Sequence, residues 1–164
     1  MRTLPTTKSC FVCGRQNPLG LKLRFETDGV LVQARFAFGP DHVGFQNTIH
    51  GGLIATLLDE VMVWACGVRT KRFAYCAEMT VRYAHPVRPG IEAVAIGELV
   101  NNRRDKLFEA RGELRDPGNV VLATSTGKYL PVKGEELFLI GEDFDGDIEA
   151  ALWAVPARVQ SSGW

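Results

Sequence analysis

His50-Gly-Gly-Leu-Ile-Ala-Thr-Leu-Leu-Asp-Glu-Val-Met-Val-Trp-Ala-Cys-Gly67 is an 18-residue run with no breaker between its first turn and its last residue. It is too long for a strand and reads as one helix. At about 100° per residue, Leu53, Ile54, Leu57, Leu58, Val61, Met62, Trp64 and Ala65 fill one arc of about 180°, the core face. The opposite arc holds Gly52, Ala55, Thr56, Asp59, Val63 and Cys66, small residues around one carboxylate. A solvated face would carry Lys, Glu and Arg, so this face is expected to meet another backbone or a ligand at close range. Glu60 lies about 100° round from Asp59, at the border with Leu53.

Before the helix, Leu21–Glu26 and Leu31–Phe38 flank Thr27-Asp-Gly29 and read as a β-hairpin. After it come four β-rich runs, 74–84, 91–100, 107–114 and 120–130, separated by turn-forming stretches such as His85-Pro-Val-Arg-Pro-Gly90 and Asp116-Pro-Gly-Asn119. Short turns favour antiparallel neighbours, and one helix ahead of a strand series must lie on a sheet face. The expected fold is therefore α+β: a curved antiparallel sheet wrapped around one helix, in the order ββαββββ. Pro131-Val-Lys-Gly134 is the clearest composition break. It divides the chain into an N-terminal segment 1–20, a core domain 21–130 and an acidic extension 131–164. Within the extension, Asp147–Val155 has apolar residues at the spacing of a short amphipathic helix.

The 164 residues suit one domain, and 46% hydrophobic with 23% charged residues exclude a disordered or fibrous chain. Nineteen basic and nineteen acidic side chains cancel, which gives nucleic acid or an anionic membrane no general attraction. Residues 1–130 nevertheless carry 17 basic against 12 acidic groups, and residues 131–164 carry 2 against 7. The opening Met1-Arg-Thr-Leu-Pro-Thr-Thr-Lys-Ser-Cys10 lacks an apolar leader core, and no uncharged apolar stretch approaches membrane-spanning length. The expected address is the cytoplasm, with the four cysteines reduced. Cys10-x-x-Cys13 has no second pair to complete a metal site within one chain, and Asp143-Phe-Asp-Gly-Asp147 has its Gly too early for a calcium loop. No metal and no cofactor are expected.

His50-Gly51-Gly52 puts unpaired backbone N–H groups and the positive dipole end where a carbonyl oxygen acquiring negative charge could bind. Asp59 supplies a carboxylate able to activate water. Together these are what hydrolytic acyl transfer requires. Gly51 and Asp59 are eight residues apart, about 12 Å along one helix, so one chain cannot offer both to one carbonyl. Two antiparallel copies could, and the spacing argues for a dimer with two shared sites.

Asn47-Thr-Ile-His-Gly-Gly-Leu-Ile-Ala-Thr-Leu-Leu-Asp-Glu60, with Met79-Thr-Val-Arg-Tyr83 and Pro86, resembles the hotdog-fold acyl-CoA thioesterases of the phenylacetate-pathway type. The opening 10–21 is similar to that of many bacterial members. The resemblance implies an acyl-CoA substrate and a dimer or dimer of dimers. It also implies that Gly51 polarises the thioester carbonyl, that Asp59 of the partner acts as general base or nucleophile, and that His50 shapes the helix entrance. Gly52, Asn47, Thr56, Glu60 and Cys76 are candidates to line the substrate. Arg103 and Arg104, helped by Lys106, are the first candidates for the CoA phosphates, with Arg69, Lys71 and Arg72 in reserve. The sequence departs from the family at Gly44, where many relatives carry a water-positioning Asn or Gln; His42, Gln46 and Asn47 are the candidates to replace it. The likeness leaves open a non-catalytic acyl-CoA binder. A hydratase or dehydratase on the same fold fits less well, because the dehydratase-type His motif followed by spaced prolines is absent.

Overall fold

A computed structural model describes residues 1–146. Its central element is α1, Gly51–Thr70, capped by His50, whose Nδ1 accepts the Gly52 N–H at 2.9 Å. The helix runs three residues past Gly67, because Val68 is buried in the core and that packing outweighs the cost of a glycine within the helix. It ends where Lys71 turns left-handed at φ 60° and its N–H bonds the Gly67 carbonyl. By length and composition α1 is long and apolar enough to cross a membrane, and Leu57, Leu58, Val61 and Met62 are fully buried, as in the central helix of a packed core.

The strands are β1 Arg2–Thr3, β2 Thr6–Thr7, β3 Phe25–Thr27, β4 Leu31–Ala37, β5 Val43–Phe45, β6 Thr48–Ile49, β7 Ala74–Tyr83, β8 Glu92–Asn102, β9 Phe108–Arg115, β10 Val121–Pro131 and β11 Phe144–Asp145. One antiparallel sheet runs β1-β3-β4-β8-β9-β10-β7, and α1 packs on one of its faces. The expected ββαββββ core is therefore present as β3-β4-α1-β7-β8-β9-β10. Two short pairs, β2 with β11 and β5 with β6, are additions. The first hairpin strand starts at Phe25 rather than Leu21. Lys22 has φ 58°, and the Leu21 and Leu23 N–H groups bond the Phe11 and Val12 carbonyls instead of a strand.

The helix sits low because the sheet beneath it carries little side chain. Ala95, Gly97, Ala110, Gly112 and Ala123 form a trough, and Gly97 pairs directly with Gly112 across β8 and β9. A Cβ at Gly97 would lie 2.3 Å from the Val61 carbonyl oxygen, so any larger residue would force the helix away. Strand β7 closes one end of the sheet, and no strand among the described residues pairs with its outer edge.

Residues 131–146 stay on the body. Helix α2, Glu135–Asp143, leads into β11; Ser9 Oγ donates to Asp143 at 2.7 Å, and Phe144 packs against Trp64 and Phe73. The short helix expected at 147–155 lies outside the described residues.

Candidate active site

The approach to α1 is a fixed turn. β5 and β6 form a tight hairpin around Gln46 and Asn47, and Asn47 takes φ 56°, a conformation Asn tolerates better than most residues. Arg88 donates to the Asn47 carbonyl at 2.7 Å and to Thr48 Oγ1 at 2.9 Å. The His50 N–H bonds the His42 carbonyl, and His42 Nδ1 accepts the Gly39 N–H, so His42 is occupied as a brace. Since His50 Nδ1 takes the Gly52 N–H, the Gly51 N–H is the first amide of the helix left without a partner among the described residues. Tyr83, which the sequence did not flag, donates its hydroxyl to the Gly51 carbonyl at 2.9 Å and lays its ring beside that glycine. At Gly44, a Cβ would lie 2.9 Å from His50 Cδ2: the histidine ring occupies the space that a side chain at this position would need.

Asp59 lies half-buried two turns further along. Tyr129 donates its hydroxyl to Asp59 Oδ1 at 3.0 Å, and the Cys76 thiol bonds the same carboxylate. Both donors come from a break in strand register. Pairing of β10 with β7 passes from Lys128–Glu78 to Tyr129–Cys76, skipping Ala77, so Tyr129 and Cys76 stand side by side facing the helix. Bulges of this kind re-aim side chains next to functional sites. Gly127 makes room for the Tyr129 ring, which passes within 3 Å of where its Cβ would be. Burial, then the Asp59 charge, push Tyr129 well above the ordinary phenol range, push Cys66 up to about 12 and push Cys76 up to about 11. All three therefore remain protonated near neutrality, and Tyr129 and Cys76 serve as hydrogen-bond donors to the carboxylate.

Of the remaining small face, Ala55, Thr56 and Val63 are half-buried and Gly52 is exposed, while Cys66 is enclosed by the sheet and by the cluster containing Phe108 and Tyr129. Thr56 Oγ1 is spent on the Gly52 carbonyl at 2.9 Å. Glu60, a candidate to line the substrate, lies beside Cys10, 4.0 Å from its Sγ. A groove of about 430 Å³ opens along β7 beside Cys76, with Lys106 and Lys133 on its walls. Arg103 is held by Glu109 at 2.6 Å, whereas Arg104, at φ 55°, has no ion-pair partner among the described residues. Arg72 lies 3.8 Å from Asp105, which brings the reserve basic group next to the 101–106 turn.

The thioesterase superfamily model matches residues 46–123, just under half of the chain, including the α1 stretch and three strands after it. No curated protein matches at the level of sequence. Among solved structures, a thioesterase superfamily protein superposes with TM-score 0.69 at 22% identity, over 76% of this chain and 61% of its own, so the present chain spans less than two thirds of that relative. The Escherichia coli PaaI protein from the phenylacetic acid degradation operon gives 0.64 at 16% identity, over 70% and 82%. A Streptococcus mutans protein bound to acetyl CoA gives 0.59 at 15%, over 67% and 88%. The matched segment is similar to the thioesterase superfamily, and the architecture shared with these structures is that of the hotdog fold.

Proposed function

We propose that the protein hydrolyses acyl-CoA thioesters to a carboxylic acid and CoA, in two sites each shared between two copies of the chain. The observation that carries this is the separation of the two chemical parts on one helix. The Gly51 N–H, without a partner among the described residues, stands at the start of α1, and the Asp59 carboxylate, held by Tyr129 and Cys76, stands about 12 Å further on. The outer edge of β7, unpaired among the described residues, gives a second copy a place to join, in a dimer or a dimer of dimers.

In this reading Asp59 takes a proton from a water that attacks the thioester carbonyl, or attacks it directly to give a mixed anhydride that water then hydrolyses, while the partner's helix start stabilises the carbonyl oxygen as it gains charge. The carbon–sulfur bond then breaks and CoA leaves as the thiolate, which is protonated on release. The superfamily match over residues 46–123 and the acetyl CoA bound by a structural neighbour support the substrate class. A second reading, binding of acyl-CoA without turnover, is favoured by Gly44, where the water-positioning amide of many relatives is missing. We propose the cytoplasm as its address, without nucleic acid or membrane partners.

A thiol-release assay over aromatic, medium-chain and branched acyl-CoAs, run with the wild type and Asp59→Asn, separates the two. Turnover that falls at least about a hundredfold in a folded Asp59→Asn protein supports hydrolysis. Tight acyl-CoA binding without thiol release in the wild type supports the binder.

A further inference from the structure

The sequence offers Cys10-x-x-Cys13 without a second pair, and the fold supplies what the spacing lacks. Cys10 Sγ, Cys13 Sγ and a carboxylate oxygen of Glu60 all lie within 4.8 Å of one another. Tetrahedral zinc with bonds of about 2.3 Å to sulfur and about 2.0–2.2 Å to oxygen puts its ligand atoms about 3.5–3.8 Å apart, so small side-chain rotations complete the geometry.

The loop is built around the sulfurs. Val12 N–H points at Cys10 Sγ, 3.2 Å away, and Gly14 N–H closes onto the Cys10 carbonyl at 2.9 Å. Gly14 is the residue this tight turn demands, since a Cβ there would lie 2.3 Å from the Cys10 carbonyl oxygen. Thr7 Oγ1 accepts the Cys10 N–H at 3.2 Å and lies 3.6 Å from Cys13 Sγ. Trp64 hydrogen-bonds the Glu60 carboxyl group from the next turn of α1, the kind of outer contact that orients a ligating carboxylate. Cys13 is buried and no Lys or Arg pairs with Glu60 among the described residues, so these acidic groups lack a protein cation. Burial, with the charges of Cys10 and Asp59, pushes Glu60 up to about 8 when no ion is bound.

We propose that Cys10, Cys13 and Glu60 form a zinc site that pins the N-terminal loop to the central helix one residue beyond Asp59, with water as fourth ligand. Two thiolates select a soft divalent ion over magnesium or calcium, and the carboxylate makes zinc a better match than a thiolate-only cluster metal. The ligands release their protons as the ion enters. The site stands independently of the thioesterase reading.

The test is metal content of the full-length protein expressed with zinc, competition of Zn²⁺ against a chromophoric chelator, and the absorption spectrum after cobalt substitution. The expected result is about one zinc per chain and a thiolate-to-cobalt charge-transfer band with tetrahedral d–d intensity. Cys10→Ser/Cys13→Ser should lose the band and nearly all the zinc. Glu60→Gln, which keeps the shape of the side chain, should keep the band, change the d–d region and bind zinc at least about tenfold more weakly. Should the cysteine variant fail to fold, the wild-type spectrum and Glu60→Gln decide the matter. Less than about a tenth of a zinc per chain in the wild type, zinc affinity unchanged in Glu60→Gln, or a Cys10–Cys13 disulfide in freshly purified metal-free protein would each overturn the proposal.

Discussion

Gly97 is where sheet and helix come closest, and replacing it with alanine tests whether the helix position governs the site. The added Cβ would lie 2.3 Å from the Val61 carbonyl oxygen and 2.5 Å from its carbonyl carbon, where ordinary contact begins near 3.4 Å. Both obstacles are backbone, so α1 must withdraw by about 1 Å and take Asp59, two residues earlier, with it. Overpacking costs about 1–3 kcal/mol, and an unyielding backbone neighbour puts this case near about 3. For a chain of this size that lowers Tm by about 6–12 °C. A displacement of about 1 Å at a reacting group costs about a hundredfold in turnover. Gly112→Ala is the matched comparison. Its nearest neighbours are Met62 Cγ at 3.2 Å and Leu58 Cδ2 at 3.4 Å, both of which can turn aside, so its loss should stay near about 1 kcal/mol with activity kept. Thermal melts at fixed protein concentration and thiol release on both variants provide the readout. If Gly97→Ala melts within about 2 °C of wild type with full kcat, or if Gly112→Ala suffers equally, the trough does not set the helix position.

Tyr129→Phe removes one of two donors to Asp59, and a hydrogen bond to a charged group is worth about 1.5–3 kcal/mol; with Cys76 still in place, kcat should fall about tenfold while KM holds. Steady-state kinetics with an active acyl-CoA check this, and unchanged kcat would remove Tyr129 from the site. Arg104→Ala should raise KM up to about fivefold and flatten its dependence on salt, because an exposed phosphate contact contributes no more than about 1 kcal/mol and is screened. Arg103→Ala should do less, since Glu109 already holds that guanidinium; equal KM and salt response in both variants and the wild type would place the phosphates elsewhere.

The core was legible because periodicity carries it: α1 and five strands of the sheet, β4 and β7 to β10, follow from runs long enough to show a period of 3.6 or 2. The strands at 2–3, 6–7, 48–49 and 144–145 are two residues each, too short to show any period, and only tertiary pairing defines them. The site was half legible. His50, Gly51 and Asp59 share one helix, so their relation could be computed from its geometry. Tyr129 and Cys76 reach Asp59 only because the strand register slips at Ala77, and one residue of slip moves a side chain to the other face. Tyr83 and the meeting of Glu60 with Cys10 likewise join distant segments, and no local pattern marks such contacts.

The shared site is tested most directly by mixing two inactive variants. Gly51→Pro deletes the helix-start N–H: proline is at home in a first turn, His50 at ψ 128° already suits a following proline, and an added Cβ would meet its nearest atoms at an ordinary 3.4 Å. Asp59→Asn deletes the base. Neither homodimer has a complete site, but each mixed dimer rebuilds one of its two. After full subunit exchange at equal amounts, thiol release should recover to about a quarter of the wild-type rate. Exchange demonstrated by mass or fluorescence, with folded subunits and no recovery of thiol release, would contradict a site built from Gly51 of one copy and Asp59 of the other.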